Sequence, residues 1–167
     1  MSHDPSAPRP GSTGSGGCGS GVPIVKRGVV AVAQRGGMFL AIRRGRAVAA
    51  PGRVCFPGGH IEAGEAEHEA VERECREELA VEVRAVACVW RSVTPWGTGL
   101  AWWTVEMAPE ADLVPHPIEV DAIFWLSIEE LLAETALLDG NREFLLAVQA
   151  GALPGVLAPR GDDVSAE

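Results

Sequence analysis

Between Gly58 and Val81 the chain reads GGHIEAGEAEHEAVERECREELAV, and this run constrains the fold more than any other. Pro57-Gly58-Gly59 reads as a turn, and a helix is predicted from about Ala66 to Leu79. Val71, Cys75 and Leu79 recur at i, i+4, i+8, the spacing of a buried helical stripe. Glu74, Glu77 and Glu78 fall at i, i+3, i+4, so their carboxylates leave the helix from one arc. Like charges at that spacing cost a helix about 0.2–0.5 kcal/mol per pair. Two environments tolerate the arrangement: open solvent, or a bound hard cation. Oxygen ligands unaccompanied by His or Cys suit Mg²⁺ or Mn²⁺ rather than zinc.

Gly59, Glu65, Arg73, Glu74, Glu77 and Glu78 together resemble the signature of the Nudix hydrolases. Two positions depart from it: Cys75 replaces an aliphatic residue, and Ala80 replaces the glycine after the two glutamates. Cysteine packs as a small hydrophobe, so the first change is mild. At Ala80 the helix must either avoid positive φ or bear a left-handed penalty of about 1 kcal/mol or more. The resemblance implies that Glu74, Glu77 and Glu78 hold Mg²⁺, with the Gly59 carbonyl able to assist. It implies that Arg73 orients the glutamates and that Glu65 pairs with Arg73, and it assigns Glu77, Glu78 and Arg73 to the catalytic machinery. In this family the general base varies and often lies on a late loop. Glu119 is the candidate here and Asp121 a weaker one, while His116 is a candidate for contact with substrate.

With 167 residues and 47% hydrophobic content, one domain with a substantial core is expected. A net charge of −9 argues against nonspecific binding of duplex nucleic acid, which needs a basic face. A nucleotide substrate stays open, because a divalent cation inverts the local sign. No apolar run has the length of about 20 residues that spans a bilayer. Cys18, Cys55, Cys75 and Cys88 show no metal-binding spacing and read as reduced thiols of a cytoplasmic protein.

Residues 1–22 are rich in Gly, Ser and Pro and read as a disordered tail without the apolar region of a secretory signal. Residues 23–153 form the expected domain and 154–167 a polar tail, frayed from Pro159. Gly28–Gln34 and Met38–Arg43 flank Arg35-Gly36-Gly37 as a hairpin, apolar enough to be covered on both faces. Arg43, Arg44 and Arg46 form a basic cluster that either meets substrate phosphates or caps a strand end in solvent. Val54–Phe56 is a short strand, and Glu82–Val93 alternates as another, with Val83, Ala85, Ala87 and Val89 opposite Val86, Cys88 and Trp90. Leu100–Met107 and Val120–Leu126 complete the strands, Ser127 caps a helix through Glu130, and a last helix covers about Asn141–Ala150. These elements make an α+β fold, and the resemblance implies an αβα sandwich around a mixed sheet.

Five tryptophans invite a search for a base-stacking residue, and Trp96 and either Trp102 or its strand neighbour Trp103 are candidates beside the default of core packing. The expected activity is Mg²⁺-dependent cleavage of nucleoside diphosphate derivatives by a monomer or homodimer, leaning to nucleoside triphosphates, oxidised ones included. ADP-ribose or a sugar nucleotide is the alternative substrate. A nucleotide-sensing domain without turnover is the alternative from another class, and the complete glutamate set argues against it.

Overall fold

The computed structural model describes residues 23–153 and 155–156. The expected tails at 1–22 and beyond Pro159, and Cys18 within the first, lie outside the described residues. Val156, assigned above to the polar tail, is buried against the core.

Strand β1 (Lys26–Arg35) turns into β2 (Met38–Arg44) through Gly36 and Gly37. Their φ angles of 55° and 78° are those of the two-residue turn that suits twisted strands. Beyond the turn the two strands part. β1 continues parallel to β5 (Thr98–Glu106), from Lys26↔Thr98 to Ala33↔Val105, and β5 pairs with β4 (Arg84–Val93). β2 pairs along one edge with β6 (Val120–Leu126) and on the other with the short β3 (Val54–Cys55). The chain after β3 then crosses to β1, where Ala31 N–H donates to Pro57 O at 2.8 Å and Val29 N–H to Gly59 O at 2.9 Å. The Pro57–Gly59 segment is thereby fastened into the gap that opens between β1 and β2.

Alternation along β1 builds two cores. Val29, Ala31 and Ala33 face helix α1 (Glu67–Leu79), meeting Ala70, Val71, Cys75 and Leu79. Val30 and Val32 face the other way, towards α2 (Ile128–Ala133) and α3 (Asp139–Gln149), with Phe39, Trp102, Phe144 and Leu145. Helices therefore cover both faces of a mixed sheet, the αβα sandwich expected. Ser127 caps α2 as predicted, its side chain accepting from Glu130 N–H at 3.2 Å.

The plain alternation expected over Glu82–Val93 does not hold. Register shifts at Ala85/Ala87 and Cys88/Trp90 turn Ala85 and Cys88 to the α1 side, and Val89 and Trp90 to the α3 side. Bulges add residues that keep no place in a period of two. Among the described residues, no helix is long and apolar enough to cross a membrane.

Candidate active site

Two glycines set the site's backbone. A Cβ on Gly58, whose φ is +146°, would collide with the Val29 carbonyl oxygen, and one on Gly59 would collide with the Glu74 carboxylate. Bare backbone lets this segment lie between β1 and the glutamates of α1. Gly58 N–H donates to Glu78 Oε2 at 2.9 Å. The Gly59 carbonyl already accepts from Val29.

Arg73 ties the region together with all five of its N–H donors. Nε and Nη2 reach the two oxygens of Glu65 at 2.8 and 3.1 Å. Nη1 reaches Glu74 at 3.0 Å and Glu77 at 3.1 Å, and Nη2 also reaches the His60 carbonyl at 2.8 Å. The expected Glu65–Arg73 pair is present, and it holds the Glu65 carboxyl below its ordinary range. The loop before α1 is thus bound to the middle of the helix.

Burial separates the three helix glutamates. Glu77 is 56% exposed at its side chain, whereas Glu74 and Glu78 lie among the buried residues. Burial pushes the Glu78 carboxyl up to about 8, helped by the charges of Glu74 and Glu119 and opposed by the Gly58 N–H and Arg44. Burial also raises Glu74, despite the attraction of Arg73. Among the described residues no cationic side chain makes an ion pair with Glu78. Nor do three or more His, Cys, Asp or Glu side chains converge there as a ready-made cation cage. Glu74 and Glu77 are turned to Arg73, and Glu78 to Gly58. The donor chemistry nonetheless fits a hard divalent cation: every group is a carboxylate or carbonyl oxygen, and two carboxylates are withdrawn from water without full compensation.

The loop from Ala108 to Glu119 reaches this group because it caps α1. Val114 N–H donates to Leu79 O and His116 N–H to Glu78 O, each at 2.8 Å, taking up carbonyls that the helix end leaves open. Glu119 follows, half exposed and close enough to raise both Glu74 and Glu78. His116 Nδ1 accepts from Glu119 N–H at 3.3 Å, so it shapes the loop.

The basic cluster divides. Arg44 lies on the α1 side of β2, donating to Ala49 O at 2.6 Å, with its Nη1 3.9 Å from Cys55 Sγ and its charge acting on Glu78. Arg43 lies on the opposite face, over the Phe124 ring at 5.1 Å and 4.0 Å from Glu134, so the structure does not bring it to the glutamates. Adjacent strand residues point to opposite faces, which the grouping of both arginines overlooked. Trp102 is a correction as well. It is 0% exposed, stacked on Phe144 at 4.6 Å with its N–H given to Ser92, and offers no face to a base. Trp96 stands 73% exposed in the β4–β5 turn, without a ring or hydrogen-bond contact to the glutamates among the described residues.

Sequence reasoning missed Glu67. At the first position of α1 its side chain is 13% exposed and accepts from Arg27 (2.6 Å), Arg91 (2.9 and 2.8 Å) and Trp103 (3.3 Å). One carboxylate thus joins the start of α1 to β1, β4 and β5. An acidic residue in a first helical turn was the available signal, but its partners are distant in sequence.

A model of the NUDIX domain matches residues 23–148. A Nudix hydrolase of Deinococcus radiodurans is 35% identical over 98 residues, which are 52% of this chain and 56% of that relative. The chain thus spans little more than half the length of that curated relative. The solution structure of the E. coli ORF135 protein superposes with a TM-score of 0.65 at 29% identity, covering 84% of this chain and 96% of that one. A MutT protein from Methanosarcina mazei gives 0.66 at 21% identity over 78% and 96%, a likeness of fold. With the family model covering three quarters of its length, from β1 into α3, the chain belongs to the NUDIX family.

Proposed function

We propose that this chain is a Mg²⁺-dependent hydrolase of the diphosphate linkage in nucleoside diphosphate derivatives, with nucleoside triphosphates, oxidised ones included, slightly favoured. One observation carries the reading: Glu74 and Glu78 are buried beside Glu119, and among the described residues no cationic side chain makes an ion pair with Glu78. Burial of that kind is costly, and a site that binds cations justifies it. Glu74, Glu77 and Glu78 would hold the ion, Mn²⁺ substituting for Mg²⁺, and the Gly59 carbonyl would assist. When bound, the ion neutralises the diphosphate oxygens and acidifies water.

The chain's own groups supply the rest. Arg73 fixes the carboxylates of Glu65, Glu74 and Glu77 relative to the His60 backbone, so the site is ordered before substrate arrives. Glu119 can reach water and serves as the base: it takes a proton as the water oxygen attacks phosphorus and the bridging P–O bond breaks. Arg44, on the side of Glu78, offers its remaining donors to a phosphate. ADP-ribose and sugar nucleotides carry the same linkage and are the alternative substrates.

The test is incubation with Mg²⁺ and a panel of nucleotide derivatives in ¹⁸O-water, with products identified by mass. Release of a nucleoside monophosphate, with one ¹⁸O in a single product, is expected. Binding without turnover across the panel would favour a sensing domain instead.

A further inference from the structure

A second concave feature lies on the α1 side of the sheet, past the Gly59–Ile61 segment. It is a cavity of about 300 Å³ with Ile24, Ile61 and Val93 as apolar lining, joined by Leu100 from the residues that pack towards α3. Arg27, Glu67 and Arg91 form its charged side. The two guanidinium groups share one carboxylate, so the trio carries a net single positive charge. Of their ten N–H donors, five on each, three are engaged by Glu67 and the side chains remain 60% and 64% exposed. An apolar pocket with a few convergent polar groups is the general form of a small-molecule site, and this volume lies at the small end of the range. Its volume suffices for one ring system the size of a nucleobase.

Position links the cavity to the glutamates. Ile61 N–H donates to Arg27 O at 3.1 Å, and Gly59, two residues earlier, lies against Glu74. Glu67 on the cavity wall and Glu74 are seven residues apart on one helix, about 10 Å along its axis. A ribose and its first phosphate would span an interval of that order. Resting on the hydrolase reading above, we infer that this cavity receives the nucleobase of the substrate, with Arg27 and Arg91 donating hydrogen bonds to acceptor atoms on the base edge. Guanidinium donors pair with carbonyl and ring-nitrogen acceptors in this way, and the aliphatic lining covers the ring faces.

Amide NMR of the full chain with Mg²⁺ tests it, comparing inorganic pyrophosphate with the α,β-methylene analogue of GTP. Pyrophosphate is expected to shift the Glu74–Glu78 amides alone, and the nucleotide analogue to shift Ser92, Gly99 and Ile61 in addition. Val93→Trp, which fills the cavity mouth without touching the arginines, and Arg27→Ala, which leaves the Arg91–Glu67 pair intact, are each expected to raise KM by about tenfold with kcat retained. Arg27→Lys should recover part of the loss. If the analogue shifts Glu74–Glu78 yet leaves Ser92 and Gly99 as pyrophosphate does, the base lies elsewhere and the inference falls while the hydrolase reading stands. If neither probe shifts Glu74–Glu78, both fall. A drop in kcat with unchanged KM in both variants would mark the trio as a clamp for α1 and overturn the base-binding role.

Discussion

Glu78 is 5% exposed and the hydrogen-bond donor to its carboxyl is a backbone N–H, so its charged form is poorly solvated. Its pKa rises from 4.5 to about 8 on folding. A carboxyl raised in this way stabilises the fold fully below pH 4.5 and loses that contribution as pH climbs through 8. Glu78→Gln keeps the acceptor for Gly58 and removes the charge. The metal-free variant should therefore melt several degrees above the wild type at pH 8.5 and level with it at pH 4.5, in calorimetry without divalent ions. Added Mg²⁺ should raise the wild-type melting temperature at pH 8.5 and leave that of the variant unmoved. Glu77 differs because its carboxylate faces solvent and its bond to Arg73 is a surface pair of small worth. Glu77→Gln should lower kcat by about 10²-fold or more while the melting temperature stays nearly constant. Equal turnover in that variant would remove Glu77 from the machinery.

Helix α1 was legible as an element because its apolar stripe and acidic arc share one period, and the structure begins it one residue later than expected. Its end was legible only as a dilemma, which the structure resolves: Ala80 takes φ 52°, ψ 34°, and its N–H closes onto Arg76 O at 3.0 Å. The left-handed turn sends the chain directly to Val81 and Val83, which pack in the α1-side core, and leaves the Leu79 and Glu78 carbonyls to the N–H groups of Val114 and His116. Ala80 is exposed and a glycine loses no contact there, so Ala80→Gly should stabilise the protein by about 1 kcal/mol in denaturant unfolding. Destabilisation would mean that chain entropy in the unfolded state outweighs the relieved strain. The Glu67 clamp was not legible. Its partners lie 40, 24 and 36 residues away, on three strands whose order no local pattern fixes. The two bulges of β4 were hidden for a similar reason, since an inserted residue preserves composition while shifting the period.

At the scale of the whole molecule, the parting of β1 and β2 creates the site. The gap between them admits the Pro57–Gly59 segment, which meets the glutamates of α1 on its exposed flank. The sandwich itself followed from resemblance and from strands apolar on both faces. What alternation should have revealed, and grouping by proximity obscured, was the division of Arg43 from Arg44 and of Trp102 from solvent. The proposed activity requires that the buried carboxylates of α1 bind a divalent cation. Titration of the wild type and of Glu74→Gln, Glu77→Gln and Glu78→Gln with Mn²⁺, followed by water-proton relaxation with and without nucleotide, tests it most directly. Saturable binding in the wild type, tightened by nucleotide and weakened in each variant, is predicted; relaxation that is the same in all four proteins would contradict it.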